Sequence, residues 1–242
     1  MLKTYDFVNE QGEKVISKTI QYEKKEDDSF GFYNSNMNIS ILYDLPKVIE
    51  NVKNNNVIYF VTCVDMVEAL KISGKFATCL VTNTYNKKKL EQSLKYLKGA
   101  TIYIIVDNNN SKKEIKEDIK SDQMLEQVFN SIAKTNKNIL KILVDIAKEV
   151  RLIDYNEQHK NYNILNKYKN IGDLFGKYAV DYNLDYWFYS YYNYKDESYL
   201  IDKSWKELIA NGIIVTKSNY TNIYRQYKFK FMLFDILDKL TK

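Results

Sequence analysis

Between Val57 and Asp154 the chain alternates two patterns of apolar residue. "VIYFVTC", "FATCLVT" and "TIYIIVD" are short and almost wholly apolar. "VDMVEALKIS", which stops at Gly74, and "NKKKLEQSLKYL", which stops near Gly99, instead place their apolar residues three or four apart. The first pattern predicts strands buried on both faces and the second predicts amphipathic helices. A further helical stretch is predicted from Lys113 to about Lys134, then a strongly periodic helix from Asn138 to Lys148 leading into one more strand, "VRLID". "KNIGDLFGKYAV" reads as a short helix. Strands apolar on both sides and separated by helices predict a parallel sheet covered on both faces.

The flanks differ. "KTYDFVNEQGEKVISKTIQYE" has period-two character on either side of Gly12, which predicts a β-hairpin. "FGFYN" follows as a short strand, and "LPKVIENVKNN" carries Pro46 near the first turn of a helix whose apolar residues are Val48, Ile49 and Val52. Beyond residue 178 come the aromatic run "DYWFYSYYNY", an amphipathic helix "SYLIDKSWKELIANG" stopped by Gly212, and "IIVTKSNYTNIYRQYKFKF", read as two strands joined by a Ser/Asn turn. Helix then hairpin is compatible with a winged-helix module and with other small α+β domains. The expected organisation is an N-terminal β extension and linker helix over residues 1–50, an α/β domain over 51–178 and an aromatic-rich C-terminal domain over 179–242.

Composition narrows the picture. With 242 residues, 45% of them hydrophobic, the chain can bury a sizeable core. No apolar run approaches the roughly 18 to 20 residues that span a bilayer, and the N-terminal segment lacks the plan of a signal peptide. A cytoplasmic protein without a membrane partner is therefore expected. Two cysteines and one histidine make a disulfide framework or a structural zinc site an unsuitable reading. A net charge of +5 permits a nucleic-acid partner without demanding one. The 22 tyrosines stand out; with one proline and seven glycines, Asn and Asp must make most turns.

The chemistry turns on "IIVDNNNSKK", where an apolar strand ends in Asp107 and then three asparagines. The order strand, loop, "VEAL" helix, "ATC" strand, "YLKGA", strand and "DN" loop resembles the Toprim domain of topoisomerases and primases, especially the primase-like proteins of phages and plasmids. "TYDFVNEQGEKV" is similar to the hairpin that precedes that domain, "LYDLPKVIENV" to its linker, and "KNIGDLF" to its closing segment. The likeness runs colinearly over roughly residues 3 to 178.

The resemblance implies a Toprim-like parallel sheet. It also implies a site of three carboxylates holding magnesium: a glutamate followed by glycine after the first strand, and Asp-x-Asp after the third. Here Thr62 stands in the place of the glutamate and Cys63 in that of the glycine. Asp107 keeps the first acid of the pair, Asn109 replaces the second, and Lys112 replaces a glycine. The loop from Thr82 to Asn86 has no glycine either. Asp65 is displaced from Thr62, and Glu68 sits where the family has an acid without a metal role. The implied protein is catalytically inactive and holds no metal or other cofactor.

Asp107 reads as a loop cap in preference to a weak ion or nucleic-acid contact, and Cys63 as a small strand-end residue in preference to a nucleophile. Tyr186, Trp187, Tyr189 and Tyr191, together with Arg225, Lys228 and Lys230, form the candidate binding surface. Aromatics beside cations stack on exposed bases, mark protein hot spots, or simply fill a core. The leading expectation is a phage or mobile-element protein that binds DNA or RNA. The alternative is a phage-encoded inhibitor that blocks a host defence protein or ribonucleoprotein complex through the aromatic surface.

Overall fold

The computed structural model describes residues 2–21, 39–82, 86–106, 123–162, 165, 202–227 and 234–236. It is a mixed α/β structure whose largest sheet has five strands in the order β5-β4-β7-β8-β9. β4 (Val57–Phe60), β5 (Ala77–Thr78), β7 (Thr101–Val106) and β8 (Glu149–Asp154) run parallel, and β9 (Ile213–Ile214) pairs antiparallel with β8.

In chain order the four parallel strands are arranged two-one-three-four. The chain leaves β4 toward one edge through α2 (Val64–Ile72). It then returns across β4 to β7 through α3 (Lys87–Leu94), and moves outward again to β8 through α4 (Gln123–Ile146), after which comes the short α5 (Tyr155–Gln158). Crossovers between parallel strands are right-handed almost without exception, so reversing direction moves the helices to opposite faces. The packing agrees. Leu90 and Leu94 of α3 and Ile139, Leu140 and Leu143 of α4 join Ile58, Phe60, Ile102, Ile104 and Leu152 on one face. Val67 and Leu70 of α2 join Val61, Ile105 and Ile153 on the other. Each large side chain buried this way contributes roughly 1.5–3 kcal/mol.

The N-terminal hairpin is present as expected. β1 (Leu2–Val8) pairs antiparallel with β2 (Lys14–Gln21), and Gly12 takes the left-handed φ of 83° that the connection needs. Tyr5 and Phe7 belong to the α2 side of the core. α1 (Leu45–Lys53) begins with Pro46 in its first turn and buries Val48 on the opposite side.

Three expectations change. "FATCLVT" is not one strand: Cys79 separates β5 from β6 (Leu80–Thr82), because β5 pairs with β4 whereas β6 pairs with β3 (Ser40–Leu42) and β10 (Phe234–Ile236). The two helices expected before β8 form one helix, α4, through the polar stretch around Thr135 and Asn136; both residues are buried, so tertiary packing carries the helix across them. The first part of the segment expected as a second C-terminal strand is α7 (Tyr220–Tyr227), with Tyr220, Ile223 and Tyr224 turned to the core at helical spacing, and its remainder, "KFKF", lies outside the described residues. Among the described residues the helix-then-hairpin arrangement that suggested a winged helix is not seen. In the C-terminal part, β9 extends the main sheet and β10 pairs with β6, while Trp205 and Leu208, from the helix over residues 202–210 (α6), lie in the core beside β4 and β8. Gly212 lets this joint close, since a Cβ there would lie 3.2 Å from both Ile153 Cγ1 and the Leu152 carbonyl oxygen. The segments "FGFYN" and "KNIGDLFGKYAV" lie outside the described residues.

Candidate functional site at the carboxyl ends of the sheet

In a doubly wound sheet the loops diverge where the direction of winding reverses, leaving a crevice at the carboxyl ends of the two central strands. Here those strands are β4 and β7. β4 leads through Val61 into Thr62 and Cys63, so the two residues singled out from the sequence border this point.

Their surroundings are specific. The Thr62 hydroxyl donates to Met66 Sδ at 3.2 Å, back toward its own helix. Cys63 is extended, with φ of −152°, and caps α2 through its backbone carbonyl, which accepts from Val67 N at 3.3 Å. Its thiol is partly exposed and not in a disulfide. Asp65, in the first turn of α2, accepts a 2.7 Å hydrogen bond from Tyr5 Oη of the hairpin.

Glu68 serves structure. It accepts from the Tyr43 hydroxyl at 3.0 Å and from Lys71 Nζ at 2.9 Å, and Lys71 also reaches Asp44 Oδ2 at 3.0 Å. Burial, reinforced by Glu68, pushes the Tyr43 hydroxyl far above the usual phenol range. Lys71 is held above its ordinary value because its bonds to Glu68 and Asp44 outweigh the opposing effect of burial. These four groups tie α1 to α2.

Asp107, Asn109 and Lys112 lie outside the described residues. β7 is described to Val106, and its register sets Val106 beside Asp154, the last residue of β8. Asp154 is 2% exposed. This second strand-end acid was missed from sequence, although "VRLID" carries the same signal as "IIVD". Among the described residues, no three His, Cys, Asp or Glu side chains are grouped so as to hold a metal ion.

α3, in the crossover that leads from β6 to β7, has a first turn of its own kind. Asn86 caps it, its Oδ1 accepting from Lys88 N at 3.0 Å and from Lys89 N at 3.4 Å. Lys87, Lys88 and Lys89 therefore occupy the first turn, which holds no acid. Cations are unfavourable there, since the helix dipole is positive at its N-terminus. Lys87 pairs with Glu91 at 3.4 Å, in the weaker orientation for an i,i+4 pair.

Of the candidate binding surface, Tyr186, Trp187, Tyr189, Tyr191, Lys228 and Lys230 lie outside the described residues. Arg225 is exposed on α7, one residue after buried Tyr224. At this point the cation and the aromatic lie on different faces of a helix. Trp205, by contrast, is core: its Nε1 donates to Tyr59 Oη at 3.4 Å, and Lys75 Nζ lies 5.8 Å from its ring centroid.

No family model, curated protein or solved structure matches the chain. Among the described residues, no helix is long and apolar enough to cross a membrane.

Proposed function

We propose that this chain is a catalytically inactive, Toprim-like protein of a phage or mobile element, and that it acts by binding nucleic acid at the carboxyl ends of β4 and β7. The observation that carries this reading is the coincidence of a winding reversal with the polar turn at Thr62–Cys63. The lysine-rich first turn of α3 adds to it. A winding reversal makes a place for a ligand, and lysines set against a helix dipole favour a phosphate-bearing one. The replacement of the expected glutamate and second aspartate by Thr62 and Asn109 supports binding without strand-transfer chemistry, because magnesium is held largely by carboxylates.

The test is fluorescence anisotropy with short single-stranded and duplex DNA and RNA, at low and physiological salt, with and without magnesium. Affinity that falls steeply with salt and ignores magnesium is the expected result. Absence of binding at micromolar protein overturns the reading. It turns attention to the aromatic run from Tyr186 to Tyr194 as the surface of an inhibitor of a host protein, to be tested by pull-down from host lysate.

A further inference from the structure

The hairpin and the β4–α2 turn share a polar contact that packing alone does not require. Tyr5 is 4% exposed and meets Tyr43 edge-on, next to fully buried Phe7. Phenylalanine would fill the Tyr5 slot equally well, as Phe7 does two positions on along the same strand face. What the hydroxyl adds is its 2.7 Å bond to Asp65 Oδ1. Asp65 stands three residues past Thr62, in the first turn of α2, where its charge suits the helix dipole but opposes an approaching phosphate.

We propose that Tyr5 is a positioning residue for phosphate binding: its hydroxyl draws the Asp65 carboxylate toward the hairpin and away from a nucleic-acid phosphate at the carboxyl ends of β4 and β7. The inference rests on the nucleic-acid reading above. It gives the N-terminal hairpin a part in recognition, since its buried strand then governs the direction of a charge in the turn that borders the crevice. The bond joins residues 60 positions apart, so it exists only once the hairpin has docked.

The experiment compares the full chain with Tyr5→Phe, Asp65→Asn and the double variant, by anisotropy on labelled oligothymidine and oligouridine strands at low and physiological salt. Thermal unfolding is measured for each variant. Tyr5→Phe is expected to bind about fivefold more weakly, the order of effect of one phosphate contact near physiological salt. Asp65→Asn is expected to bind at least as tightly as wild type, and the double variant to match Asp65→Asn. Wild-type affinity in Tyr5→Phe, or an equal loss with and without Asp65, overturns the proposal and leaves the nucleic-acid reading standing. Failure of the wild-type chain to bind overturns both. Should Tyr5→Phe not fold, Asp65→Asn decides alone, and weaker binding by it overturns the proposal.

Discussion

The two ends of the parallel sheet carry positive charge for different reasons. At the amino end the preceding helices finish, and Lys53 and Lys71 lie in the last turns of α1 and α2. Lys95 opens the 3-10 turn after α3, and Lys148 follows α4. Helix C-termini carry partial negative charge, so cations there are what stability alone calls for. At the carboxyl end the helices begin, and Lys87, Lys88 and Lys89 oppose the dipole of the helix they start. A net charge of +5 cannot distinguish these ends. Position relative to the helix can: the amino-end lysines suit the dipole of the helix they follow, and the carboxyl-end lysines oppose the dipole of the helix they start.

The largest expected effect comes from reversing that charge. Lys87→Glu, Lys88→Glu and Lys89→Glu combined should weaken nucleic-acid binding on the order of a hundredfold at physiological salt, through three lost phosphate contacts. The same variant should unfold at a higher temperature, because acids suit a helix N-terminus. Weaker binding together with higher stability would be hard to obtain from damage to the fold; unchanged affinity would break the comparison.

Removing the cap is a smaller change. Asn86→Ala leaves two first-turn amides without their side-chain acceptor and should destabilise by about 1 kcal/mol in chemical denaturation. At the amino end, Lys53→Glu and Lys148→Glu should each destabilise by roughly 0.3–1 kcal/mol and leave binding unchanged, the reverse of the pattern at the other end.

The smallest effect concerns Asp202, which bridges to Lys206 at 2.9 Å and to Lys75 at 3.7 Å. Its carboxyl is held below the usual range first by the bond to Lys206, with Lys75 adding to it. A carboxylate with a depressed folded pKa contributes stability above its unfolded value, which is lost as pH falls through the folded one. Asp202→Asn should therefore flatten the acid side of the stability profile by about 0.2–1 kcal/mol, a small figure because the pair is half exposed to solvent.

The parallel core was legible because both faces of its strands are covered, so "VIYFV" and "TIYIIV" could scarcely be anything else. The same clarity set Gly74 and Gly99 as helix stops, at φ of 72° and 79°. α7 was misread because Tyr and Ile favour strands, yet its packing follows Tyr220, Ile223 and Tyr224 at intervals of three and one. α4 was divided because Thr135 and Asn136 look like a loop until their burial is known. At the candidate site, the place of Thr62 and Cys63 was legible from the end of one strand. The bond between Tyr5 and Asp65 was not, because no local pattern joins them, and the pairing of Asp154 with Val106 follows only from sheet register.

β6 receives its two neighbours at very different times. Ser40–Leu42 precedes it in the chain, so that partner is already made when Leu80–Thr82 leaves the ribosome; Phe234–Ile236 is made much later. Until then one side of β6 offers open backbone donors and acceptors, the geometry from which edge-to-edge association starts. A nascent chain stalled before residue 234 is therefore the form of this molecule most exposed to aggregation, and the release of β10 sets the moment at which that exposure ends.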